Sequence, residues 1–334
     1  MKHDDPFKAL VLTQEDGRTQ CGLQDLTIAQ LPAGDVTVKV DYSSLNYKDA
    51  MAVTGTGRIV RDFPMVPGID LAGTVLASSA PDYPVGTPVV LTGWSVGERF
   101  WGGYSQVQRV RSEWLVPLAD GLDSYKAMAI GTAGLTAMLC VMELEAAGAR
   151  PGAGTVLVTG ASGGVGSVAV ALLARLGYRV AALVQPGREA VHPYLMSLGA
   201  AEVIAGAEWA EVPKPLENQR WTAAIDTVGS KVLARVLASL EYGGVVAACG
   251  LAGGADLPGT VMPFILRGVR LAGVDSVMCP AARRREAWAR LGRVYGETPF
   301  ADIAATAGLG QVPQLAARLM AGNNRGRYVI DVNG

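Results

Sequence analysis

The hydrophobic pattern changes character along the chain. Val36-Thr37-Val38-Lys39-Val40 alternates with period two, as a strand with one buried face does. Residues 8–12, 72–76, 87–91 and 104–110 are similar short apolar stretches separated by Gly and Pro, and they predict further strands. The first third therefore reads as a β-rich module, with a barrel as one way of closing it. A helical period begins near Ser124, runs through residues 126–130 and resumes after Gly131 over 135–144. From Thr155 the texture becomes alternating. Residues 155–159, 178–184, 202–204, 223–226 and 245–249 read as buried strands. Helices are predicted over 167–176, ahead of Leu198 and over 231–240. Alternation of this kind predicts a parallel, doubly wound sheet. Beyond Asp275, residues 281–295 read as an amphipathic helix, with Arg283, Arg284 and Arg285 on its solvated face, and 327–332 as a last strand. The fold class expected is α/β, in about two domains by length.

Composition narrows the functions open to such a chain. Half of the 334 residues are hydrophobic, and 29 Lys and Arg balance 30 Asp and Glu. No electrostatic case arises for nucleic acid or an anionic membrane surface. The four cysteines (Cys21, Cys140, Cys249, Cys279) have no CxxC-like spacing, and only His3 and His192 accompany them. A disulfide scaffold and a structural zinc site are not expected. The opening MKHDDPFK lacks the apolar core of a signal peptide, and no apolar run is expected to approach a membrane span, which points to a cytoplasmic protein. Glycine is the excess, at 42 residues.

The glycines concentrate where they do chemistry. TVLVTGASGGVGSVA (155–169) places Ala161, Gly163 and Gly166 in an A-x-G-x-x-G form of the dinucleotide fingerprint, with Gly160 just ahead. Small residues allow the tight turn, Gly163 lets backbone approach a pyrophosphate, and Gly166 lets helix pack on strand. The preceding strand and following helix supply the context that this motif needs. The next strand ends in Gln185-Pro186-Gly187-Arg188, with no acid at its tip to accept from a ribose 2′-OH. Arg188 instead suits a 2′-phosphate, so NADPH is the expected cofactor. Asp226 is expected to cap a loop or helix, Cys249 to be a small buried residue, and His192 has no catalytic role.

These segments resemble the medium-chain dehydrogenase/reductases, in the zinc-free quinone-oxidoreductase branch, and within it the acryloyl-CoA (acrylyl-CoA) reductases. The likeness is carried by SSLNYKDA (43–50), PGIDLAGT (67–74), WGGY (101–104), IGTAG (130–134) and TGASGGVG (159–166). IDTVG (225–229), YGG (242–244), ACGLAGG (248–254), PFILRGV (263–269) and VDSV (274–277) extend it over nearly the whole chain. The resemblance implies a GroES-like catalytic domain from residues 1–130 and 275–334 around a Rossmann domain at 131–274, usually in a homodimer. Relatives that use zinc have a Cys where this chain has Asn46, and Gly-His-Glu where it has Gly68-Ile69-Asp70. No thiolate or imidazole stands there, so the expectation is no metal. Carried over by position, cofactor contacts fall on Tyr47, Ser162, Gly163, Gly164, Val165, Arg188, Leu251, Ile265 and Ser276. The 2′-phosphate loop departs from the pattern: it is longer ahead of Arg188, and Gly206 stands where a second basic residue is expected. NADPH preference weaker than in relatives follows.

The implied reaction is conjugate reduction of acryloyl-CoA to propionyl-CoA, with hydride from NADPH reaching the β-carbon and charge collecting on the thioester oxygen. Asn46, an amide donor, and Tyr47, a phenol, are the candidate catalytic residues, expected side by side in a loop, with Tyr47 also a candidate proton donor. Their alternative is structural, an Asn in a turn and a Tyr packed on nicotinamide. Arg325 and Arg327 are weaker candidates for CoA phosphates, against a role in surface solvation. Two rival functions stay open: an NADPH-dependent quinone oxidoreductase, and a protein that binds NADPH without catalysis.

Overall fold

The computed structural model describes residues 5–297, 303–322 and 325–334; His3 lies outside them. The chain divides into two compact units, Met1–Thr132 with Val277–Gly334, and Ala133–Ser276.

The first unit is built on a seven-stranded sheet. Its order is Ala304–Gly308, Arg327–Asp331, Val36–Leu45, Asp70–Ser78, Pro88–Thr92 and Leu115–Pro117, with Val107–Val110 paired to Val36–Leu45 off that path. Val36, Val38 and Val40 are fully buried while Lys39 is exposed, as the period-two pattern predicts. One hydrophobic core joins Leu10, Val38, Leu71 and Leu91 to Leu309, Val312 and Ile330. Both ends of the chain are therefore needed to close this core. The strand Arg18–Leu26, which hairpins onto Phe7–Glu15, escapes pattern reading because only Leu26 on it is buried. Asp16 and Gly17 turn this hairpin with φ of 49° and 75°, the conformation that a two-residue type I′ turn requires.

The second unit holds a six-stranded sheet, all of it parallel, in the order Glu202–Ile204, Arg179–Leu183, Thr155–Val158, Trp221–Asp226, Leu240–Ala248, Arg270–Gly273. From Thr155–Val158 the chain winds outward in one direction, and from Trp221–Asp226 in the other. The switch point lies between these two strands, where open α/β sheets bind ligands at their carboxyl ends. The α/β expectation, a β-rich unit plus a doubly wound parallel sheet, is borne out.

Two expectations are corrected. Ser124–Ala146 is helical with a break at Gly131, and it is long and apolar enough, by length and composition, for a membrane span. Gly and Thr interrupt the apolar run, but an 18-residue window of it stays apolar as a whole, and 89% of that window is buried inside the protein. Arg284, expected on a solvated face of Ala281–Tyr295, is 1% exposed. Its guanidinium donates to the Thr92, Val277 and Cys279 carbonyls and lies 4.9 Å from the Trp94 ring. Backbone carbonyls thus replace the water that a buried Arg loses.

Candidate active site

In the second unit the glycine loop is a cradle with no room for side chains. A Cβ on Gly166 would overlap the Gly160 carbonyl oxygen, and one on Gly160, at φ 59°, would overlap Thr227 Oγ1. The helix Gly164–Arg175 starts from Gly163 with no side chain capping it. Its first N–H groups and positive dipole end open onto exposed Gly163 and half-buried Ser162, Gly164 and Val165. Behind them, Thr159 Oγ1 donates to Asp226 Oδ1 at 2.7 Å and the Gly229 N–H to Oδ2 at 2.8 Å. Burial raises the Asp226 carboxyl, and these two hydrogen bonds pull it back. Asp226 therefore ties loops together, as its sequence context predicts. Cys249 is half-buried, with Sγ 3.5 Å from the Asp226 carbonyl oxygen. Leu251, 67% exposed, follows the end of Leu240–Ala248, so it shares the sheet's carboxyl edge with Ser162, Gly163, Gly164 and Val165. Ile265 stands apart on Met262–Arg267, and Ser276 Oγ accepts from Thr136 at 2.8 Å.

Arg188 is half-buried in the loop after Arg179–Leu183. That loop carries an acid which inspection of the strand tip misses. Glu189 Oε1 accepts from the Gly187 N–H at 3.1 Å. Its own N–H and that of Gly187 hold the carboxyl below its ordinary value. Beside Gly206, the Glu208 carboxylate fills the space that a Cβ would take. Glu189 thus directly follows Arg188, the basic residue of this loop.

The first unit brings together residues that lie far apart in sequence. Asn46 is the N-cap of the helix Tyr47–Thr54, so Tyr47 opens a helix and is not in a loop. Asp49, three residues on, accepts the Asn46 backbone N–H at 2.9 Å, the reciprocal bond of a capping box, and the Ile69 N–H at 2.9 Å. Asp70, fully buried, accepts from Ser44 Oγ at 2.5 Å, Asn46 Nδ2 at 2.8 Å, and the Thr132 N–H and Oγ1 at 2.9 and 2.5 Å. The Thr132 N–H is available because Gly131, at φ 52° and ψ −160°, breaks the helix. Arg327 closes the set. It donates to Asn46 Oδ1 at 2.9 Å and to Ser44 Oγ at 3.0 Å, with Nη2 3.9 Å from Asp70 Oδ2. Burial, then the Asp70 charge, raises the Asp49 carboxyl to about 7. Burial also pulls the Arg327 guanidinium down, and Asp70 and Asp49 push it back up.

Two expectations fall on this geometry. Asn46 has no hydrogen left for a substrate oxygen: its Nδ2 is shared among Asp70, Ser44 and Asp49, and its Oδ1 is taken by Arg327. Arg327, expected at a CoA phosphate, is 3% exposed and spends its donors inside the unit. Arg325 is exposed and Tyr47 is 56% exposed. Of the residues missed, Asp49 left a legible signal, the Asn-x-x-Asp spacing of a helix start. Ser44 and Thr132 left none, because they meet Asp70 only in three dimensions.

Comparison with known proteins agrees with both units. Residues 32–120 match the alcohol dehydrogenase GroES-like domain, and 164–293 match the zinc-binding dehydrogenase family. The chain is 57% identical to a probable acrylyl-CoA reductase of Escherichia coli (98% of this chain, all of that one). It is 53% identical to an acrylyl-CoA reductase of Ruegeria pomeroyi (98% and 99%). A crystal structure of the Salmonella enterica yhdH oxidoreductase in complex with NADP superposes with TM-score 0.95 at 58% identity, covering 98% of this chain and all of that one.

The name of the second matched family implies a zinc ion, and the residues here do not fit one. Asn46, Ile69 and Asp70 offer an amide, an alkyl group and a carboxylate. The carboxylate already accepts four hydrogen bonds and faces a guanidinium. A cation has neither soft ligands nor electrostatic room there. Among the described residues, no three His, Cys, Asp or Glu side chains cluster for a metal. With its two domain matches and its identity to these reductases along nearly its full length, the chain belongs to the medium-chain dehydrogenase/reductase superfamily, in the family of acrylyl-CoA reductases.

Proposed function

We propose that this protein reduces the C=C bond of acryloyl-CoA to propionyl-CoA with NADPH, without zinc. The observation that carries the reading is full-length identity to two acrylyl-CoA reductases in a chain that also has an uncapped, side-chain-free cradle at its sheet's switch point. When bound, NADPH supplies a hydride for the substrate β-carbon. Ser162, Gly163, Gly164 and Val165 hold the pyrophosphate on backbone N–H groups, and Arg188 pairs with the 2′-phosphate. Leu251, Ile265 and Ser276 complete the cofactor contacts, and Arg325 is the remaining candidate for a CoA phosphate.

Tyr47 is the chemical group of the first unit. Its phenol donates to the thioester oxygen as charge collects there, or passes its proton to the α-carbon, and water restores it. Losing a donor of this kind costs about 10²–10³ in rate. Asn46, with every polar atom engaged, serves as the frame for Tyr47. The decisive experiment measures loss of NADPH with acryloyl-CoA, crotonyl-CoA and a quinone, for wild type and Tyr47→Phe. Fastest turnover of acryloyl-CoA, with kcat lowered about 100-fold in Tyr47→Phe, is expected. Quinone turnover without acyl-CoA turnover would make the chain a quinone oxidoreductase, and turnover of nothing would leave an NADPH-binding protein.

A homodimer in a reducing, cytoplasmic setting completes the reading. All four cysteines are free thiols. The edge strand Arg270–Gly273 carries exposed Leu271, and Val261 and Leu266 are exposed close by in sequence. Apolar side chains grouped near a sheet edge favour pairing with a second copy. A mass by light scattering equal to one chain would refute the dimer.

A further inference from the structure

We propose that Arg327 and Asp70 are positioning residues that set Tyr47 through Asn46, so the fold holds its active-site tyrosine with a buried charge pair. The proposal rests on the role given to Tyr47 above. Neither residue reaches substrate, since Asp70 is 0% and Arg327 3% exposed. Both nevertheless converge on the residue directly before Tyr47. Arg327 takes Asn46 Oδ1, while Asp70 and Ser44 take Nδ2. The Asn46 backbone is held separately by Asp49. The amide plane is therefore clamped from both ends, and the first turn of Tyr47–Thr54 starts from a fixed cap.

Four separate stretches of chain supply the clamp. Ser44 is near the end of Val36–Leu45, Asp70 begins Asp70–Ser78, Arg327 begins Arg327–Asp331, and Thr132 follows the helix break at Gly131. Tyr104 adds a hydrogen bond from its hydroxyl to the Ser44 carbonyl oxygen at 3.1 Å. Stability alone is a poor reason for such an arrangement, because desolvating an ion pair offsets most of its attraction and apolar packing does as well. A fully satisfied polar network contributes rigidity and one defined geometry. The planar fork matters as much as the charge: one guanidinium reaches Asn46 Oδ1 and Ser44 Oγ at once, which an ammonium on a flexible stem does not reproduce.

The test is a double-mutant cycle of wild type, Tyr47→Phe, Arg327→Lys and the double variant. It follows kcat with acryloyl-CoA, KM for NADPH and NADPH binding by fluorescence. A displaced catalytic group costs up to about 100-fold, so Arg327→Lys is expected to lower kcat at least tenfold while KM for NADPH stays within twofold. In the double variant kcat is expected to be no lower than in Tyr47→Phe, because the tyrosine being positioned is already disabled. Losses that multiply would overturn the proposal, and so would a wild-type kcat in Arg327→Lys. An unchanged kcat in Tyr47→Phe would instead remove the role of Tyr47 itself, and the proposal with it. Ser44→Ala, which cuts the hydroxyl bridging Asp70, Asn46 and Arg327 but keeps both charges, runs through the same cycle. It reads the coupling if Arg327→Lys does not fold.

Discussion

Gly131→Ala puts the buried network under the sharpest test. Gly131 sits at φ 52° and ψ −160°, where an L side chain is strained by about 1–3 kcal/mol. Its new Cβ would overlap Arg327 Nη2 and lie 2.7 Å from Asp70 Oδ2 and 3.0 Å from Ser44 Oγ. None of these atoms is the loose end of a solvated chain, since all three residues are buried. Overpacking of this kind costs about 1–3 kcal/mol, giving a total of about 2–6 kcal/mol. If relief comes by driving Arg327 from Asp70, the loss of a buried pair sets the scale instead, at about 3–5 kcal/mol. Gly86→Ala is the control in the same unit: Gly86 has φ 91° and nothing within 4 Å of its Cβ position, so only backbone strain acts there. Urea unfolding of both variants, followed by tryptophan fluorescence, should show Gly131→Ala losing more than Gly86→Ala by at least about 1 kcal/mol. Equal losses would mean that the network is not tightly packed around Gly131, and the reasoning about Asp70 and Arg327 would fail with it.

Two further outcomes follow from the same geometry. Asp49 keeps its proton to about pH 7 in the folded chain, whereas an unfolded Asp releases it near 4. The folded state binds more protons between those values, so the contribution of Asp49 to stability is largest below about pH 4 and is lost as pH rises through about 7. The stability difference between wild type and Asp49→Asn should shrink across that window, and a difference that does not vary with pH would contradict the buried, raised carboxyl. Arg188→Ala should raise KM for NADPH about tenfold, the scale of a charge-assisted hydrogen bond, and leave KM for NADH unchanged. Equal effects on both cofactors would remove Arg188 from the 2′-phosphate, and Glu189 beside it in the loop predicts only a modest wild-type preference.

How far the candidate site was legible depended on how local its causes are. The glycine loop was readable because each glycine answers a constraint within a few residues: a turn at Gly160, a helix start at Gly163, and close strand–helix packing at Gly166. The parallel sheet was readable because buried strands such as Thr155–Val158 are continuously apolar and alternate with amphipathic helices. The motif SSLNYKDA marks Asn46 and Tyr47 without saying which of their polar atoms are free. A side chain's free hydrogens can be counted only when its partners are known, and those of Asn46 stand 2, 3, 24 and 281 positions away.

The same distinction explains Arg327 and Arg284. In sequence each is an Arg in a polar neighbourhood, and exposure is the ordinary state of such a residue. Folding buries both, one against Asp70 and Asn46, the other against backbone carbonyls, because distant strands close over them. By itself the sequence determined the fold class and the glycine loop, both written in local periodicity and motif spacing, and its motifs carried the resemblance to the family. Only the tertiary structure decided which polar groups are spent and which are free, since hydrogen bonding in a core is settled by neighbours that the linear chain does not name. Asn46 and Arg327 are spent on holding a helix cap, while Tyr47 beside them stays exposed.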